Sequence, residues 1–126
     1  MRVLLDTHIA LWAVVGSKRL APRARQLILA ADNVFVSVAS LWEIAIKHGL
    51  GRGDVPISSA QALQAFVDAG YELLEIRPEH GLAVEGLAAT HGDPFDRMLI
   101  AQAQLESIPI LTTDPAITRY DVETIW

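Results

Sequence analysis

Five carboxylate side chains lie where short apolar segments end or where helices begin. Asp6 follows the apolar run Val3 to Leu5, and Asp114 closes a second apolar segment, "PILTTD". Asp93 and Asp96 fall at the start of one predicted helix, and Glu43 falls within the first two turns of another. Carboxylates gathered in one place repel each other unless a cation holds them together. Their oxygen-only chemistry favours a hard ion, so the pattern predicts a Mg²⁺ or Mn²⁺ site.

A carboxylate cluster of this kind is typical of phosphodiester hydrolysis. Bound divalent ions polarise the phosphoryl oxygen, lower the pKa of the attacking water and stabilise the leaving alkoxide.

The chain has no cysteine, which excludes disulfides and thiolate zinc sites and makes a reducing cytoplasm the expected location. It also has no apolar run of membrane-spanning length. The apolar N-terminal stretch stops at Asp6, so we expect neither a signal peptide nor a membrane anchor.

Alternating strands and helices must position these carboxylates. The predicted strands are Val3 to Leu5, Val34 to Val36, Leu73 to Ile76, Ile108 to Leu111 and Thr124 to Trp126. The predicted helices are about Ile9 to Val15, Pro22 to Ala31, Ala39 to Gly49, Ala60 to Ala69, Glu79 to Thr90 and Pro94 to Glu106. The strands are apolar on both faces, as in parallel sheets covered by helices. We therefore predict one α/β domain, residues 1–126, with a mainly parallel sheet.

Proline and glycine mark several helix ends in this prediction. Pro22 and Pro94 occupy first helical positions, and Gly49, Gly70 and Gly92 mark exits. In open parallel sheets, ligands bind beyond the carboxyl ends of the strands. Those are the positions at which the acidic residues occur.

Four segments, in this order and spacing, resemble the PIN-domain family, in particular its VapC-like ribonuclease toxins. They are "LLDTHIALW", "ASLWEIAIKHGLG", "HGDPFDRMLIAQA" and "ILTTD". The resemblance implies a three-layer α/β/α fold and cleavage of single-stranded RNA with Mg²⁺ or Mn²⁺. It places the acidic residues of the family on Asp6, Glu43, Asp96 and Asp114, and a supporting hydroxyl on Thr112. It further implies an antitoxin partner and a homodimer.

The formal charge of −5 argues against a nucleic-acid partner, because phosphate binding usually requires a basic patch. Setting aside the four acids and neighbouring Asp93 leaves ten Asp and Glu against ten Lys and Arg. The rest of the surface is then neutral, and divalent ions would offset the charge of the site. We expect Lys47, Arg52 and Arg97 to assist RNA binding, with modest affinity.

Each acid also has a structural interpretation. Asp6 is suited to cap the following helix, and Asp114 before Pro115 suits a turn or a cap. Glu43 has Lys47 at i+4, the spacing of an ordinary surface ion pair. A helical wheel with Val38, Leu41, Trp42 and Ala45 on its apolar stripe leaves Glu43 at the edge.

Asp93 and the remaining polar or aromatic residues receive structural interpretations. Asp93 before Pro94 predicts a helix N-cap, with an ion pair to Arg97. The four histidines are expected at the surface or beside the site, with His91 near it. Trp12, Trp42 and Trp126 are expected in the core or at interfaces, and not as platforms for RNA bases.

Two other functions remain open at this point. A phosphatase of the haloacid dehalogenase type also has an aspartate after its first strand, but it needs a second aspartate where this chain has His8. The chain also lacks an obvious loop lysine for phosphate. A non-catalytic PIN-like binding module would be expected to lack one of the four acids, and all four are present.

Overall fold

The structure, a computed structural model, describes residues 1–88 and 92–126. Its strands are β1 (Arg2–Leu5), β2 (Asn33–Ser37), β3 (Glu72–Leu74), β4 (Ile110–Leu111) and β5 (Thr124–Ile125). Its helices are α1 (Thr7–Val15), α2 (Pro22–Ala30), α3 (Val38–Gly49), α4 (Ser59–Asp68), α5 (Pro78–Glu85), α6 (Pro94–Glu106) and α7 (Pro115–Thr118). None of the helices in these residues is long and apolar enough to cross a membrane.

The strands form one parallel sheet in the order β3-β2-β1-β4-β5. The chain first extends the sheet from β1 to β3 on one side, then crosses back to place β4 on the other side of β1. The order therefore reverses between β1 and β4. Such switch points leave a crevice beyond the strand ends. The predicted mainly parallel sheet is confirmed.

Successive side chains of β1 point to opposite faces of the sheet and build two cores. Val3 and Leu5 belong to a cluster with residues of α1, α2 and α4. Leu4 packs on the other face with Leu99 and Ile117, from α6 and α7. Both faces of β1 are thus fully buried, and the three-layer α/β/α arrangement follows.

Most predicted elements are observed, with differences at their ends. Helix α6 has the predicted bounds. Helix α5 ends at Glu85, earlier than predicted. The predicted end, Thr90, lies outside the described residues. The backbone N–H of Gly86 caps α5, so the predicted exit at Gly92 is wrong. Helix α7 was not predicted, because its four residues are too few to show a helical period.

Candidate active site

The switch point brings Asp6 and Thr112 together although they are far apart in sequence. The Thr112 hydroxyl donates a hydrogen bond of 2.8 Å to Oδ2 of Asp6. The same hydroxyl accepts a bond of 3.0 Å from the backbone N–H of Asp114. Since β1 and β4 are neighbouring parallel strands, their carboxyl ends place these three residues at one edge of the sheet.

Asp6 stands at the N-cap position of α1, but its side chain makes no capping hydrogen bond. The capping alternative for Asp6 is therefore wrong. Its side chain is buried, with 7% of the residue surface exposed. Burial raises the pKa of Asp6, while the hydrogen bond from Thr112 lowers it without cancelling the rise. A buried carboxyl at a strand end that makes no ion pair with a Lys or Arg among the described residues is suited to bind a cation.

The two aspartates at the start of α6 have different surroundings. Asp93 is the N-cap, and its Oδ1 accepts hydrogen bonds from the backbone N–H groups of Phe95 and Asp96, at 2.9 and 3.2 Å. This confirms the capping prediction for Asp93. Asp96 is a helical residue that is only 9% exposed. Its pKa is affected by Asp6 and Asp114, so its side chain lies near the edge of the sheet that carries those two residues, which we call the rim.

Asp96 is the most strongly perturbed acid in the site. Burial, the largest cause, and the neighbouring carboxylates raise its pKa from 3.8 to about 8. The carboxylates are, in order of effect, those of Asp93, Asp6, Asp114 and Glu43. Asp96 therefore lies within electrostatic reach of the three other predicted acids, and Asp6 lies within reach of Asp114. Such clustered, perturbed groups are typical of functional sites.

Glu43 lies inside the protein, against our expectation of an edge position. The buried face of α3 consists of Ala39, Ser40, Glu43 and Ile44. The predicted apolar stripe was wrong because Trp42 is 57% exposed and Ala45 is also exposed. Lys47 donates a hydrogen bond of 2.5 Å to Oε2 of Glu43, so the predicted i+4 pair forms, but it is largely shielded from water.

Asp114 combines a structural contact with exposure to solvent. Its Oδ1 accepts a hydrogen bond of 2.9 Å from the backbone N–H of Ala116 and thus caps α7. The capping alternative for Asp114 is therefore confirmed. Its charge nevertheless raises the pKa of both Asp6 and Asp96, which locates it at the same rim.

The donor set of this rim suits a hard divalent cation, since the candidate ligands are carboxylate oxygens. Within residues 1–88 and 92–126, no three Asp, Glu or His side chains form a group already arranged to hold a metal ion. Three of the carboxylates have other contacts: Asp6 with Thr112, Glu43 with Lys47, and Asp114 with the backbone N–H of Ala116. The donors fit the ion by chemistry and charge.

Comparison with known proteins decides the family. The PIN domain family matches residues 3–123, nearly the whole chain. The chain belongs to the PIN-domain family. This assignment excludes the phosphatase of the haloacid dehalogenase type.

Relatives of this PIN domain match most or all of its length. Ribonuclease VapC22 from Mycobacterium tuberculosis (strain ATCC 25618 / H37Rv) is 30% identical over 113 residues, which are 89% of this chain and 86% of the relative. The structure of VapBC2 from Rickettsia felis, bound to a DNA fragment from their promoter, matches with a TM-score of 0.72 and 13% identity, covering 100% and 98% of the two chains. DNA-bound VapBC from Salmonella typhimurium matches with a TM-score of 0.70 and 15% identity, covering 100% and 97%. At these identities the structural matches show the fold.

A buried polar network, missed in the sequence, links the helices that carry the acids of this PIN domain. Ser37, the N-cap of α3, accepts from the backbone N–H of Ala39 and donates a bond of 2.6 Å to Oε1 of Gln102 on α6. Gln102 in turn donates to the carbonyl of Glu75 at 3.2 Å. The network fixes α3, which carries Glu43, against α6, which carries Asp96.

A second buried pair joins α1 to α3. The hydroxyls of Thr7 and Ser40 share a hydrogen bond of 2.8 Å. Thr7 follows Asp6, and Ser40 precedes Glu43 by three residues, so this contact also sets the spacing of two acids. No signal in the sequence predicts these contacts, because the spacing of Ser37, Ser40 and Gln102 along the chain matches no motif.

The cations expected to assist RNA are engaged by the protein itself. Instead of the ion pair predicted with Asp93, the guanidinium of Arg97 donates to the carbonyls of Val84 and Ala88 and to the Tyr120 hydroxyl, at 3.1, 2.8 and 3.0 Å. Arg97 therefore ties α5 and the residue after α7 to α6. Arg52 pairs with Asp54, and Lys47 pairs with Glu43 as above.

One of the histidines differs from expectation. His80 is fully buried, so its predicted surface location is wrong. Its Nδ1 accepts from the backbone N–H of Arg77, and its Nε2 lies 3.1 Å from Glu106. His48 contacts the carbonyl of Val55, and His8 lies 3.5 Å from Asp54. His91 lies outside the described residues.

Proposed function

We propose that the chain is a divalent-metal-dependent endoribonuclease that hydrolyses phosphodiester bonds in single-stranded RNA as the toxin of a toxin-antitoxin pair. The observation that carries this proposal is that Asp96 lies within electrostatic reach of Asp6, Glu43 and Asp114, beside the carboxyl ends of β1 and β4. Three of these acids are buried. Three buried acids are costly for stability alone, and the 30% identity to a ribonuclease supports a use in catalysis.

We propose that the same four acids hold Mg²⁺ or Mn²⁺. When bound, such an ion polarises a phosphoryl oxygen and lowers the pKa of a water molecule. Thr112 orients Asp6 through its hydroxyl. Asp93, as the N-cap of α6, fixes the first turn of that helix and hence the position of Asp96. Asp96, with its pKa near 8, holds a proton at neutral pH until a ligand displaces it. Lys47 neutralises Glu43 beside the other acids.

A cognate antitoxin is proposed as the protein partner. The structural matches to VapBC proteins, one of them bound to a DNA fragment from their promoter, support it. Co-expression with the protein encoded next to this chain tests it. A neighbouring protein that neither binds the chain nor inhibits RNA cleavage would contradict the proposal.

A homodimer is proposed from the apolar surface between α3, α5 and α6. A groove there, with a volume of about 380 Å³, is lined by Trp42, Ile76, Val84, Phe95 and Met98, among other residues. Trp42 packs edge-on against Phe95, with ring centroids 5.0 Å apart, yet is 57% exposed. Sedimentation at micromolar concentration should show a dimer that Trp42→Glu dissociates.

Metal titration tests the proposed activity directly. The purified chain should cleave a single-stranded RNA, stop in EDTA and recover with Mg²⁺ or Mn²⁺, whereas a duplex of the same sequence should resist cleavage. Cleavage undiminished by thorough chelation would reject the metal site. RNA binding without cleavage under any metal would favour the non-catalytic binding module.

A further inference from the structure

A groove leads away from the carboxylates along α1. Its inner part, with a volume of about 290 Å³, has Asp6 and Asp114 at one end, and His8 and Trp12 along its wall. An adjoining cavity of about 290 Å³ shares Trp12 with it. Arg19 and Asp54 also line both parts. The two parts are therefore adjacent, with Trp12, Arg19 and Asp54 between the proposed reaction site and the outer part.

The wall of this path presents aromatic rings. The rings of His8 and Trp12 have centroids 6.0 Å apart and an interplanar angle of 48°. Trp12 is partly buried: one part of its side chain packs against the core, and another part lines the groove. The side chain of His8 is 38% exposed. Exposed aromatic faces beside a phosphate-binding site are suited to stack on nucleobases.

Arg19 supplies a cation in the same groove. Its backbone N–H is bonded to Ser17, but among the described residues its guanidinium has no hydrogen-bond or ion-pair partner. It differs in this from Arg52 and Arg97, which are engaged by the protein. A guanidinium without such a partner, which lines the same cavity as Asp6 and Asp114, can bind a phosphate and offset their charge.

We propose that this groove is a nucleotide subsite, in which the base flanking the scissile phosphate stacks on Trp12 and the next phosphate pairs with Arg19. The inference rests on the proposed ribonuclease function and names its substrate contacts. It revises the expectation that Trp12 belongs to the core or an interface and is not a platform for RNA bases. Stacking does not depend on charge, so the subsite explains how an acidic chain holds RNA at physiological salt.

Binding measurements on an uncleaved complex test the subsite. A fluorescent single-stranded RNA is titrated with the Asp96→Asn chain in Mg²⁺, at several salt concentrations. Adding Trp12→Leu should weaken binding about 5- to 100-fold without changing the salt slope. Adding Arg19→Gln should reduce the slope of log K against log salt by about 0.7, the value for one phosphate contact on a single strand.

Matched variants control for folding and for general charge. Trp12→Phe retains an aromatic face and should restore most of the binding lost in Trp12→Leu. Trp126→Leu removes another exposed tryptophan, outside the groove, and Lys18→Gln removes the charge next to Arg19. Both should bind as the parent does. Thermal melts confirm that each variant is folded, and binding unchanged in folded Trp12→Leu and Arg19→Gln overturns the subsite.

An abasic substitution identifies the stacked nucleotide. Removing the base next to the scissile phosphate should weaken binding to the parent, but should add little further loss to Trp12→Leu. Full additivity at every position would overturn stacking on Trp12. The proposed function is tested separately, by RNA cleavage with the wild-type chain. If the wild type cleaves RNA but Trp12→Leu and Arg19→Gln bind RNA as the parent does, the subsite alone is rejected. Groove-dependent binding without cleavage rejects the nuclease function alone.

Discussion

The Thr112 hydroxyl donates a 2.8 Å hydrogen bond to Asp6, which lies 106 residues away in the sequence. The hydroxyl has one proton, and its oxygen already accepts from the backbone N–H of Asp114. Its proton is therefore directed to Asp6. This bond lowers the pKa of Asp6 against the effect of burial and holds the carboxylate in one orientation.

Removal of this hydroxyl should impair the site without unfolding the chain. Thr112→Val keeps the shape of the side chain but leaves Asp6 without its donor, so its pKa should rise further and its affinity for Mg²⁺ should fall. We expect RNA cleavage to fall at least tenfold, as for loss of a contact that orients a metal ligand. Thr112→Ser retains the hydroxyl and should keep most activity. Equal activity in Thr112→Val and wild type would show that the bond is dispensable.

The two aspartates of "DPFD" should respond differently to amide substitution. Asparagine caps a helix well but binds a hard cation poorly, so Asp93→Asn should keep most activity and lose at most about 1 kcal/mol of stability. Asp96→Asn should fold normally and lose cleavage by several orders of magnitude. One RNA assay and one thermal melt per variant make the comparison. A folded but inactive Asp93→Asn would show that Asp93 has a role beyond capping.

Magnesium binding should release a proton at neutral pH. Asp96 has its pKa raised to about 8 by burial and by the neighbouring carboxylates, so it is largely protonated at pH 7 and must lose the proton to bind a cation. Calorimetry in two buffers of different ionisation enthalpy measures the release. We expect nearly one proton per bound ion at pH 6.5, falling as pH passes 8, and a much smaller release in Asp96→Asn. Undiminished release in that variant would assign the proton to another group.

In EDTA, stability should fall as the pH rises. Asp96 ionises near 3.8 in the unfolded chain but near 8 in the folded chain. Between these values the folded chain holds the extra proton, so the free energy of unfolding decreases with rising pH. Asp6, whose pKa is also raised, contributes with the same sign. Urea unfolding from pH 5 to 8 measures this slope, which should be smaller in Asp96→Asn. A slope of the same size in both proteins would contradict the environment of Asp96.

The local sequence determined the elements and their order. Apolar runs such as Val3 to Leu5 predicted strands covered on both faces, because a segment without polar alternation must be buried on both sides. Asp93 before Pro94 predicted both the start of α6 and its cap, since capping uses the side chain and backbone of adjacent residues. The family motifs placed the four acids at the ends of these elements.

Tertiary structure alone decided which side chains meet and which are free. Glu43 was misplaced on the helical wheel because α3 packs through small residues, Ala39 and Ser40, while Trp42 faces outward. The bonds from Ser37 to Gln102 and from Thr112 to Asp6 join positions 65 and 106 residues apart. Such contacts leave no periodic pattern in the sequence, because they depend on which strands and helices are neighbours in the folded sheet. For the same reason, only the folded chain shows that Arg97 is engaged by the protein while Arg19 faces an open groove beside the acids.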